Sequence, residues 1–169
     1  MLLCAKYIYA QSYYYSTTKT FNESGYTYQC DVDGADMVTL YNSSNKRTYT
    51  YPVYKSTGEN FVQTDEGIDL LELDNWTDAK CESIVSDALS ASERLRVKGD
   101  MLFLILYINS STGKVDEMHF EFRSRDPFAT IPVSVYRKIE TEIKKKIWFT
   151  LTTEGKNLNY IFYWTTFEP

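Results

Sequence analysis

Between Met101 and Asn109 the chain reads "MLFLILYIN", an apolar run with no charged residue in it. A strand with one wet face alternates apolar and polar residues, so a short unbroken run of this kind predicts a strand covered on both faces. The rest of the fold must supply that double cover. "SSTG" then turns the chain, and "KVDEMHFEFR" alternates, placing Met118, Phe120 and Phe122 on one face and Glu117, His119 and Glu121 on the other. The two stretches predict a hairpin.

Helical spacing brackets this hairpin. Cys81, Ile84, Val85, Ala88, Leu89 and Leu95 keep one apolar face behind a cap at Asp74 or Thr77, which predicts a helix over 77–95. A second helix is predicted from Pro132, with Val135, Tyr136, Ile139, Ile143 and Ile147 on its apolar face. It ends in Lys144, Lys145 and Lys146, where the exposed carbonyls of a last turn favour cations, and Glu140 and Glu142 stand four residues before Lys144 and Lys146. The lysine run is therefore expected to be a helix terminus. A final strand, "LNYIFYWTTF", completes an αββαβ order over residues 77–169.

The N-terminal third is of another kind. Residues 12–58 are short aromatic and β-branched runs, "YYYSTTKTF", "YTYQCDV", "MVTLY" and "RTYTYPVY", separated by turn residues, and they predict an antiparallel meander of about four strands. The 15 tyrosines and 9 phenylalanines of the 169-residue chain fit that bias. Residues 59–76 form an acidic connecting segment without Lys or Arg. The fold class expected is α+β, with the meander packed on the αββαβ unit and covering the second face of its sheet. Failing that, the cover is a second copy, a partner, or an apolar ligand enclosed in an aromatic cavity.

Charge and motifs exclude several functions. The net charge is −5; residues 1–78 hold 5 basic and 11 acidic side chains, and residues 79–169 hold 13 and 12. Neither half carries the uncompensated basic patch that nucleic acid requires. The first residues, "MLLCAKYIYAQ", have the apolar run and small-residue spacing of a secretory signal, with residues 1–11 as its remnant; the alternative is a short N-terminal strand. Beyond them no apolar run approaches the ~20 residues of a membrane span, and the mature chain is expected to lack a transmembrane segment. With that segment removed, Cys30 and Cys81 remain and permit one disulfide, worth about 4 kcal/mol by chain entropy; two separately buried thiols are the alternative.

His119 is the single histidine, so any imidazole chemistry must use it, and Glu117 and Glu121 flank it at two-residue spacing. These three residues define the enzyme alternative, metal-dependent or hydrolytic. One strand supplies only a row of side chains about 7 Å apart, so the plainer expectation is a solvated polar face. "DVDGAD" at Asp31–Asp36 lacks the remaining acids of a calcium loop and predicts an Asp-Gly turn. Phosphate loops, nucleophile elbows and the HExxH and CxxC motifs are absent from the sequence, which implies no metal or cofactor.

From Thr77 onward the text resembles the C-terminal domain of TonB-type proteins: a glycine-bearing hairpin at Gly113, a helix exit at Trp148 and Phe149, a short turn at Gly155 and a closing strand. That resemblance implies a non-catalytic module binding a protein or peptide of the cell envelope by strand addition at Asn159 to Thr165, with Tyr160, Phe162 and Trp164, or the alternate set of side chains, reading it. The β-rich N-terminal half is foreign to energy-transducing TonB, so no energy-coupling role is implied. Over nearly its whole length the chain also resembles an uncharacterised exported family of gut Bacteroidetes, through "TKTFNESGYTYQC", "VTLYN", "NWTDAKC", "SSTGKV" and "ATIPVSVYRKIE". This implies a periplasmic or envelope location in a Gram-negative bacterium, and no assigned activity.

Overall fold

The protein is described by a computed structural model covering residues 13–23, 25–62 and 69–168. The signal-like residues 1–11 and the centre of the acidic segment, residues 63–68, lie outside the described residues. Three strands of the expected meander form: β1 (Lys19–Glu23), β2 (Tyr26–Val32) and β3 (Met37–Asn42), successively antiparallel. "DVDGAD" is a turn, in which the Asp33 carboxylate accepts the backbone N–H groups of Ala35 at 2.8 Å and Met37 at 2.9 Å. The expected fourth strand is not in the sheet. Tyr49 has a left-handed φ of 70° and Pro52 offers no N–H, so "RTYTYPVY" cannot carry a continuous ladder.

The helix expected over 77–95 is two helices, α1 (Thr77–Ala88) and α2 (Ala91–Val97). Ser90 ends the first by capping the second: its hydroxyl accepts the Glu93 N–H while the Glu93 carboxylate accepts the Ser90 N–H. Next come the hairpin strands β4 (Leu102–Ile108) and β5 (Val115–Arg123), then α3 (Val133–Lys146), a short α4 (Thr153–Lys156) and β6 (Ile161–Phe167). Lys144, Lys145 and Lys146 occupy the last turn of α3. Lys144 reaches back 3.5 Å to Glu140, a buried carboxylate also held by Arg137 at 3.1 Å and by the Tyr28 hydroxyl.

The strands form one antiparallel sheet in the order β1-β2-β3-β5-β4-β6. The meander is therefore not the second layer expected from sequence. It extends the hairpin sheet sideways, Leu40 of β3 opposite Phe120 of β5, so both halves share one helix-covered face. On that face Tyr136 of α3 stacks on Phe122 with ring centroids 5.4 Å apart, and the buried hydroxyls of Tyr15 and Tyr136 donate to the carbonyls of Ile131 and Phe128. No helix among the described residues is long and apolar enough to cross a membrane.

Part of the opposite face is covered by residues 45–51, which include the start of the expected fourth strand. The Glu117 carboxylate accepts the backbone N–H groups of Lys46 and Arg47 at 2.9 Å, and the Asn45 amide donates to the Met118 carbonyl at 2.8 Å. Arg47 pairs with Asp116 at 3.0 Å. Helices thus cover one side of "MLFLILYIN", and the tethered loop covers part of the other.

Candidate functional site

The two edges of the sheet differ in chemistry. β1, at one edge, is short and carries Lys19 and Glu23, and charges of this kind discourage pairing with another chain. β6, at the other, reads IFYWTTF, with neither a charge nor a proline, and among the described strands it pairs only with β4. Residues 70–72 run close by: the Leu70 carbonyl accepts the Thr152 N–H and the Glu72 N–H donates to the Thr150 carbonyl. Between residues 69–78 and the flank of β6 lies an open groove of about 390 Å³.

Alternation sends Ile161 and Tyr163 to the helix side and Phe162 and Trp164 to the open side. Tyr163 donates to the Asp78 carboxylate at 2.8 Å, and burial followed by that carboxylate raises the phenol's pKa. Phe162 is 42% exposed and Trp164 is 60% exposed. Tyr160, expected beside them as a reading residue, is only 3% exposed. Its ring packs on Tyr107 at 5.7 Å beneath the Arg47 guanidinium, and its hydroxyl meets Thr50 at 2.8 Å, so it anchors the covering loop and offers little surface to a partner.

A second groove, of about 490 Å³, opens on the uncovered face beside Phe162 and Trp164. Tyr49 and Tyr51 wall it, and its floor is Phe103, Ile105, Tyr107, His119 and Glu121. The two tyrosines were not anticipated as site residues, because nothing local in "RTYTYPVY" indicates that it lies across strands more than fifty positions later. A third depression, about 310 Å³, lies between Tyr51, Phe61, Val62 and Phe162. All three are open, and the meander lies beside the hairpin and not over it, so these grooves are not the enclosed space between layers that an apolar ligand would need.

The enzyme alternative finds its three residues divided. His119 and Glu121 meet at 3.2 Å, and the other imidazole nitrogen meets the Tyr107 hydroxyl at 3.1 Å. Glu117 is occupied with the loop amides. His119 is 5% exposed, in place of the solvated face expected, because Tyr107 packs against its ring at 5.7 Å. Burial, then the neighbouring Tyr160, raises the Tyr107 pKa further above the ordinary phenol value. Among the described residues no three His, Cys, Asp or Glu side chains converge to hold a metal ion.

Cys30 and Cys81 are free and separately buried. Cys30 is on β2 and Cys81 on α1, which packs on β6. Four strand spacings separate β2 from β6, about 19 Å, while a disulfide needs Cα atoms within roughly 7 Å. The bridge permitted by the cysteine count does not form here.

Residues 11–164 match a family described as a domain of unknown function (DUF5043). The chain belongs to the DUF5043 family. A crystal structure of a DUF5043 family protein from Bacteroides uniformis superposes with a TM-score of 0.87 at 37% identity, over 94% of this chain and 89% of that one. The antiparallel sheet and its helices are thus an architecture shared with a DUF5043 protein of a Bacteroidetes bacterium. Among curated proteins none matches the chain.

Proposed function

We propose that this DUF5043 protein is a non-catalytic binding module of the cell envelope that takes an extended peptide as an added strand along β6. The observation that carries the proposal is the contrast between the two sheet edges. One is short and charged, the other is a seven-residue uncharged strand with a groove along its flank and two exposed aromatic rings on its open side. Strand addition would satisfy the outward backbone groups of β6, while alternate side chains of the guest would meet Phe162 and Trp164. The helix, hairpin, helix, strand order behind the TonB-type resemblance supports the same site, and the signal-like N-terminus supports export.

Peptides selected by phage display on the full chain provide the test. Bound peptide is expected to slow amide exchange at alternate residues of Ile161–Phe167, and Trp164→Lys, which puts a charge on the edge, is expected to weaken binding about tenfold. Unchanged β6 exchange under a peptide that still binds would overturn the proposal.

A further inference from the structure

We infer that the peptide taken along β6 is basic, with Lys or Arg at several of its positions; this rests on the strand-addition reading above. In an antiparallel sheet, residues opposite one another stand on the same face with Cβ atoms about 4.5–5.5 Å apart, so a guest strand alternates between the two sides of β6. Both sides favour cations. On the helix side the groove is walled by Asp69, Glu72, Asp74 and Asp78, the first two exposed and without a side-chain partner among the described residues. On the open side the groove holds the Glu121 carboxylate, with the rings of Phe162 and Trp164 exposed at its rim. A cation laid over such rings is attracted by their negative faces, an interaction independent of the acidic wall opposite.

Among the described residues, neither groove is lined by any Lys or Arg, although the chain has 18 of them. A second copy of the chain fits this edge poorly. Antiparallel pairing of two β6 strands would set the two acidic walls against each other, and β6 itself carries no cation to relieve them.

The test uses the full chain and three fluorescent nine-residue peptides. One has Lys at every second position between Val and Thr, and the others carry Gln or Glu at the lysine positions. The Lys peptide is expected to bind about tenfold more tightly than the Gln peptide and far more tightly than the Glu peptide. Its advantage should shrink as salt rises and the screening length falls from about 10 Å at 0.1 M to about 3 Å at 1 M. Asp69→Asn, Glu72→Gln and Glu121→Gln together are expected to reduce the Lys-over-Gln ratio to about twofold. Equal binding of all three peptides, with β6 amides protected, would overturn the basic partner and leave strand addition standing. Absence of binding and of β6 protection with every peptide, or a dimer buried through β6 in solution, would overturn both.

Discussion

At the scale of single residues, two glycines hold together parts of the chain that are distant in sequence. A Cβ on Gly113 would lie 2.0 Å from the Phe149 carbonyl oxygen, at a φ of +73°, and a Cβ on Gly155 would lie 2.1 Å from that of Leu70. Gly113 closes the β4–β5 turn, and its carbonyl accepts the Phe149 N–H at 2.8 Å, tying the hairpin to the exit of α3. Gly155 lies in α4, directly against the segment that flanks β6. Both neighbours are backbone, so neither collision can be relieved by rotating a side chain. Gly113→Ala and Gly155→Ala are each expected to cost about 2–4 kcal/mol in denaturant unfolding, and Gly155→Ala should also displace residues 70–72 from the groove. Gly34→Ala, with open space around it and an ordinary φ, serves as the near-neutral control. Gly113 and Gly155 were visible in the sequence as turn residues, but the contacts that make them irreplaceable join elements that only the fold brings together.

At the scale of elements, the covering loop 45–51 depends on carboxylates beneath it. Asp31 accepts hydrogen bonds from Gln29 at 2.8 Å and from the hydroxyls of Tyr41 and Tyr49 at 2.9 Å. Burial alone would raise its pKa, but these three donors outweigh burial and hold it below the ordinary value. A carboxyl lowered on folding contributes stability above its unfolded pKa, about 3.9, and loses it as pH falls through the folded value. Asp74, held low against burial by Thr77 and the Trp76 N–H, does the same at the start of α1. Acidification below about pH 4 is therefore expected to loosen Tyr49 and the loop, and amide exchange of residues 43–50 against pH would show it. An Asp31→Asn variant should flatten that dependence. Several of these elements were legible locally: the turn at Asp33, the hairpin, the α3 face and its lysines. The Ser90–Glu93 capping box was also in the text, and the helical spacing that carries across it to Leu95 obscured the break. The loop was not legible, because its aromatic alternation imitates a strand and the groups that capture its amides, Glu117 for Lys46 and Arg47 and, just past it, Asn159 for Val53, lie some seventy and a hundred positions away.

At the scale of the whole molecule, the periodicities indicated most of the residues that face a core, with Leu95 exposed and His119 buried against expectation, yet they could not indicate which strands would be neighbours. Leu40 fits equally well under a second layer or beside Phe120, and the choice rests on backbone pairing between β3 and β5, which has no local signature. That pairing makes the two halves one sheet, and the cysteines report whether they also unfold as one. Burial pushes the Cys30 thiol up to about 11 and the Cys81 thiol up to about 12, so both are neutral and shielded at pH 8 in the folded state. Cys30 sits near one end of the sheet and Cys81 over the other, so each samples a different half. In a Cys4→Ser background, alkylation at pH 8 is expected to be slow and to proceed at one common rate for both thiols, becoming rapid for both once the chain is unfolded without reductant. A Cys30 that reacts many times faster than Cys81 would mean that the meander opens independently of the hairpin sheet. The β3–β5 ladder would then be a seam between separable units, and the rigid platform that strand addition at β6 needs would consist of the C-terminal half alone.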